Sequence, residues 1–165
     1  MTTPPHGLRL ERRTITHPDA ALLVAMVQAE YVQRYGGEDE APIDPGEFEP
    51  GRGTFLVGYV EGVPVATGAW RWHATPDGLD AQRCVELKRM FVVDGLRRRG
   101  IAALLLEALE DDARATGADA VVLETGINQP EAIALYERRG YVPVPGFGHH
   151  RDSPLSRCFA KWLTR

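Results

Sequence analysis

The run Arg97-Arg98-Arg99-Gly100-Ile101-Ala102 sets three guanidinium groups beside a glycine and a small residue, just after an apolar stretch that ends at Val93. From there Ile101, Leu104, Leu105, Ala108 and Leu109 recur at helical spacing, so a helix starts at the basic run. The first turn of a helix leaves backbone N–H groups without intrahelical acceptors and carries the positive end of the macrodipole. Gly100 and Ala102 let an anion approach that backbone, the arginines neutralise it, and a pyrophosphate suits the arrangement. A plain basic turn ahead of a glycine-started helix is the competing reading, and the string alone does not separate the two.

Other polar groups are weaker signals. His149-His150, in PGFGHHRDS, suit either an acceptor pocket and proton transfer or a solvated loop, and no third ligand is spaced to complete a metal site with them. Glu38, Asp39, Glu40, Asp44, Glu47 and Glu49 form an acidic loop, which either attracts a cationic amine or is simply solvated. Trp70 and Trp72 share one face of a strand and suit sheet packing or the wall of an acceptor site. Cys84 and Cys158 show no nucleophile context and read as packing residues.

These residues sit on alternating strand and helix patterns. Leu8 to Ile15 predicts a strand, Pro18 to Tyr31 a helix, and Gly36 to Gly53 a loop with room for one helical turn. Phe55 to Val60 and Val65 to Trp72 flank Glu61-Gly62 as an antiparallel hairpin. Cys84 to Val93 alternates and then turns fully apolar, as a central strand does when its far end is covered on both faces. A helix over Gly100 to Thr116 puts Glu107, Glu110, Asp111 and Arg114 on its polar side, with Gly117 in the capping position. Ala120 to Glu124 is a strand, Pro130 to Arg139 a helix bracketed by Pro130 and Gly140, Tyr141 to Val144 a strand, and Cys158 to Leu163 alternates like an edge or closing strand.

The 165 residues suit a single domain over 1–165, and 44% hydrophobic with 25% charged residues excludes disordered and fibrous classes. A net charge of −4 is the wrong sign for a generic phosphate-backbone binder, so nucleic acid is not an expected partner. No apolar stretch is long enough to span a membrane. Two cysteines and an N-terminus without a continuous apolar run point to the cytoplasm.

ELKRMFV, RRRGIA opening an amphipathic helix, and QPEAIALYERRGY together resemble the GNAT superfamily of N-acetyltransferases, in the order and spacing of its motifs over Glu86 to Val142. The resemblance implies an α/β fold with a mixed, mostly antiparallel central sheet, a splayed strand pair and flanking helices. It implies acetyl-CoA as cosubstrate, with the pyrophosphate on the backbone of Arg98 to Ala103 beside Arg97, and the pantetheine arm along Met90, Phe91 and Val92. Many members carry an asparagine seven residues before the motif tyrosine; here Gln129 stands there and Asn128 precedes it, which leaves the contact open between them.

Such a reaction moves an acetyl group directly to a primary amine. The amine, with a pKa near 10.4, lies about 3 units from neutrality at pH 7, a deficit of roughly 4 to 5 kcal/mol, so a base or a proton-conducting water chain is required. Glu86 and Glu124 are the candidates, and Glu124 matches a position that some members use. Tyr136 falls where the family places the acid that protonates the departing thiolate, and a backbone N–H near Phe91 would hold the developing oxyanion. A small-molecule amine is the favoured acceptor. A protein N-terminus or lysine, and a non-catalytic acyl-CoA sensor, are the alternatives, and dimerisation is left open.

Overall fold

The structure is a computed structural model that describes residues 7–39 and 43–163; Glu40 of the acidic loop and the first six residues lie outside them. Strands β1 (Arg9–Arg12), β2 (Gly53–Val60), β3 (Val63–His73), β4 (Cys84–Val92), β5 (Ala120–Gly126), β6 (Val142–Val144) and β7 (Ser156–Trp162) form one sheet in the order β1-β2-β3-β4-β5-β7-β6. Every neighbouring pair is antiparallel except β4 with β5. The three helices are α1 (Pro18–Tyr35), α2 (Ile101–Ala115) and α3 (Pro130–Arg138). None of the described helices is long and apolar enough to cross a membrane.

Strand alternation separates the two faces of the sheet. Leu56, Trp70, Val85, Leu87 and Leu123 pack with Ile101, Leu105 and Leu109 of α2. Phe55, Val57 and Ala69 pack instead with Leu23 and Val27 of α1. Over β5 and β7, Val122, Cys158 and Ala160 form a third cluster with Phe147 from the loop after β6. Between that cluster and α1 the sheet is left open, and the polar residues of the strands collect there.

Of the two readings of Cys158 to Leu163, edge or closing strand, the edge falls: β7 lies between β5 and β6, and β6 is the outer strand. Alternation reports one covered face, which an interior antiparallel strand produces as readily as an edge does. Glu110 is not on a solvated face either. It is buried, accepting from the Tyr141 hydroxyl at 2.8 Å and the Lys161 ammonium at 2.9 Å, and so ties α2 to β7 and to the end of α3. Glu110→Ala strands that ammonium and hydroxyl in the interior and is expected to cost about 3 kcal/mol. At this chain length that is a fall of about 6 to 12 °C in Tm. An unchanged melting curve would show that the network carries no stability.

Candidate active site

The central strand is interrupted where the chemistry is expected. Ala69 pairs with Lys88 but Thr67 pairs with Phe91, so Arg89 and Met90 together oppose the single residue Gly68. Arg89 takes up the extra length at φ 58°, in the left-handed region that costs a non-glycine residue about 1 to 3 kcal/mol. The Thr67 hydroxyl donates to the Arg89 carbonyl at 2.7 Å, and Gly68 leaves the room that Met90 and Leu109 fill. The bulge reverses the alternation: Glu86 and Lys88 precede it on the open face, and Phe91 after it packs into the α1 cluster where Val85 and Leu87 face α2.

At the same place β4 loses its parallel neighbour. Pairing with β5 runs from Cys84↔Ala120 to Leu87↔Leu123 and then stops, although β4 continues to Val92 and β5 to Gly126. Beyond Leu87 the strand therefore has backbone groups on its β5 side with no strand to receive them. This is the splay that the resemblance implied.

The chain then reaches α2 through a turn at Asp94–Leu96. Arg98 has φ 65° and Gly100 has φ 81°, and α2 begins without a side-chain cap. A helix start commonly recruits Ser, Thr, Asp or Asn to accept its first N–H groups. Here, among the described residues, no backbone carbonyl accepts from the N–H groups of Arg98 to Ala103; the first helical bond is donated by Leu104 to Gly100. Consecutive N–H groups in a turn of this kind form an anion-binding concavity. The residues present fit a pyrophosphate.

Arg97 behaves differently from its neighbours. Its Nε donates to the Val92 carbonyl at 2.8 Å, its guanidinium pairs with Glu30 of α1 at 2.7 Å, and it lies over the Phe91 ring. It joins α1 to the far end of β4, while Arg98 and Arg99 form no ion pair among the described residues.

Two concavities flank the splay and share Glu124 and His150. One, of about 200 Å³, lies among Tyr31, Tyr35, Gly126 and Gln129. The other, of about 560 Å³, opens over the polar strand face with Arg71, His73, Glu86, Lys88 and His149. Across them the loop after α1 meets the loop after β6, through Asp39 and His150 at 3.1 Å, and Asp39 also reaches Arg89 at 3.5 Å.

The two glutamates are in different states. Glu86 is buried and receives both Nε and Nη2 of Arg71 on one oxygen, at 3.0 and 2.9 Å, while the same arginine reaches Glu47 at 3.2 Å. One oxygen of Glu86 is thus taken up by a guanidinium. Glu124 forms no ion pair among the described residues, and desolvation raises its pKa above the usual carboxylate value, with the charges of His150 and Lys88 opposing that rise. The cation that holds Glu86 comes from the neighbouring strand, as Arg71. The WRWH string held the signal: a charged residue between two tryptophans on a strand interior must face away from them.

Tyr136 is buried on α3, its ring edge-on to Tyr141 at 5.6 Å, and burial raises its pKa, with Tyr31 adding to the rise. Asn128 donates to the Arg34 carbonyl at 2.9 Å and accepts from the Arg34 guanidinium at 2.8 Å, so it fastens the end of α1. Gln129 lines the smaller cavity and donates to the Tyr35 hydroxyl at 3.3 Å. Of the two, Gln129 is the one that lines a cavity. Trp70 packs under α2 and donates to Asp112 at 2.8 Å, on the face away from the site, while Trp72 borders the larger cavity. In the acidic loop Asp39, Asp44 and Glu47 pair with the chain's own cations, while Glu38 lines the smaller cavity.

The class of protein to which this fold and site belong is shown by comparison of the sequence. The profile of the acetyltransferase (GNAT) family matches residues 22–141, and the chain belongs to that family. It is 46% identical to the IAA acetyltransferase of Azospirillum brasilense over 78 residues, 47% of this chain and 51% of that one. It is 32% identical to the N-acetyltransferase YhfO of Bacillus subtilis (strain 168) over 83 residues, 50% of this chain and 56% of that one. The matches thus span about half the length of these curated relatives. Among solved structures, a Klebsiella pneumoniae protein assigned as an acyl-CoA N-acyltransferase superposes with a TM-score of 0.75 at 27% identity, covering 95% of this chain and 98% of that one.

Proposed function

We propose that this protein transfers an acetyl group from acetyl-CoA to a primary amine of a small molecule. One observation carries the reading: the strand edge freed after Leu87 leads directly to the unaccepted N–H groups of Arg98 to Ala103. An arm with amide groups suits the first and a pyrophosphate suits the second. Acetyl-CoA would supply the activated thioester; the remaining work falls to the chain. Met90, Phe91 and Val92 line the arm and a backbone N–H near Phe91 faces developing negative charge. Ile101, Ala102 and Ala103 offer N–H groups, and Gln129 contributes from the start of α3.

Glu124 takes the proton from the acceptor amine, directly or through water, because it is the glutamate of the two without an ion pair. Glu86 positions Arg71 and shapes the cavity. Tyr136 donates a proton to the departing thiolate, and its burial keeps the hydroxyl protonated.

The direct test is thiol release from acetyl-CoA with a panel of primary amines. No release above the hydrolytic background across the panel, with CoA bound in calorimetry, would leave a binding module and refute the enzyme.

The base assignment predicts a pH signature. Glu124 is active when ionised, and its pKa is raised, so kcat/KM should fall as pH drops through a value above the ordinary 4.5. Glu124→Gln should lower kcat by about 10² to 10³ and remove that limb. Glu86→Gln should keep it. A raised pKa also means that the folded chain binds more protons than the unfolded chain, so stability declines as pH rises through that window. Glu124→Gln should therefore be no less stable than the parent at pH 7, which separates lost chemistry from lost folding. An acid limb unchanged in Glu124→Gln would transfer the role elsewhere.

A further inference from the structure

We infer that the acceptor carries a carboxylate as well as its amine, and that Lys88 is the residue that selects it; the inference rests on the amine-acetylation reading. Leu87↔Leu123 is the last β4–β5 pair, so Lys88 and Glu124 occupy the next position on each strand. They share a face with Glu86 and Val122 and look across the opening where the strands part. Both line the larger cavity. The other charged groups named around them are already engaged in ion pairs: Arg71 holds Glu86 and Glu47, and Asp39 holds Arg89 and His150.

Among the described residues Lys88 has no ion-pair partner, and neither does Glu124. They feel one another, since the Lys88 charge acts against the rise in the Glu124 pKa, yet they stand too far apart to pair. The cavity therefore presents one cation and one anion at a distance, across a space of about 560 Å³, within the range of small-molecule sites. The complement of that pattern is a zwitterion. Its ammonium meets Glu124, which is also where it must lose its proton, and its carboxylate meets Lys88. A simple amine would leave the half-buried Lys88 ammonium facing an uncharged group, and that mismatch gives specificity in favour of the acid. Free amino acids are the smallest class that satisfies it.

The test uses the full chain saturated with CoA, which prevents turnover, and calorimetric titration of the twenty free L-amino acids against their C-terminal amides. At least one acid should bind tenfold or more tightly than its amide. Lys88→Gln should bring that ratio close to one, and Lys88→Arg should restore most of it. No acid exceeding its amide tenfold, or a ratio that survives Lys88→Gln, overturns the inference. The outcome is separable from the proposed reaction: acid-selective binding without thiol release on adding acetyl-CoA would refute the enzyme and leave the carboxylate site, whereas thiol release from plain amines with no acid preference would do the reverse.

Discussion

Gly100→Val should weaken CoA binding by more than 100-fold, about 2.7 kcal/mol, as read by calorimetry. Gly100 holds φ 81° and ψ 4°, and a β-branched side chain resists that region. The substitution therefore either strains the turn or rotates it, and rotation turns the N–H groups of Arg98 to Ala103 away from a common point. A Cβ at this position meets nothing within 4 Å, so the new side chain projects into open space before the start of α2, where an anion must come. Geometry and volume act together against the ligand, while nothing in the core is disturbed. Thermal stability should thus fall modestly, by about 1 to 2 kcal/mol. Gly100→Asn, which tolerates the left-handed region better, should lose less affinity than Gly100→Val. Affinity within tenfold of the parent for Gly100→Val would remove the turn from the cofactor site.

Tyr136→Phe should lower kcat by about 10² to 10³ while the KM for acetyl-CoA moves by less than about threefold. The ring packs against Tyr141, and in the proposed mechanism the hydroxyl supplies a proton, so phenylalanine keeps the first and loses the second. Burial raises the tyrosine pKa, which holds the hydroxyl neutral through any pH at which the protein would be assayed. A departing thiolate with a parent pKa near 8.5 then meets a donor that is always charged with its proton. The split between kcat and KM is what distinguishes this role from packing, since a packing defect would move stability and KM as well. A Tyr136→Phe enzyme with full kcat refutes the assignment.

Both residues stand in local patterns of the sequence. Gly100 stands between a basic run and a helical repeat, and Tyr136 lies in a helix whose ends are marked by Pro130 and Gly140. The third pattern, ELKRMFV, marked the central strand and nothing in it disclosed the bulge. Arg89 carries no sequence signal for a positive φ, and the conformation is set by what faces it: Thr67 donating to its carbonyl and Gly68 leaving room opposite. The fate of Glu110 was hidden for the same reason. On α2 alone it belongs to the polar side, and only Tyr141 and Lys161, distant in sequence, make its burial favourable.

Charge pairing divides along the same line. Composition showed arginines and glutamates in plenty, but an ion pair is a property of two side chains brought together across strands. Arg71 claims Glu86 from the neighbouring strand and Glu30 claims Arg97 from α1. Each engages one charged side chain, while Glu124, Arg98 and Arg99 form no ion pair among the described residues.

By itself, then, the sequence determined the order of strands and helices, the anion-ready start of α2 and the place of Tyr136, since these follow from side-chain period, turn residues and spacing within short segments. The tertiary structure decided where the central strand bulges, where β4 parts from β5, and which charges remain unmatched at that opening. Those depend on hydrogen-bond register and on contacts between segments 15 to 111 residues apart, and no local pattern encodes them.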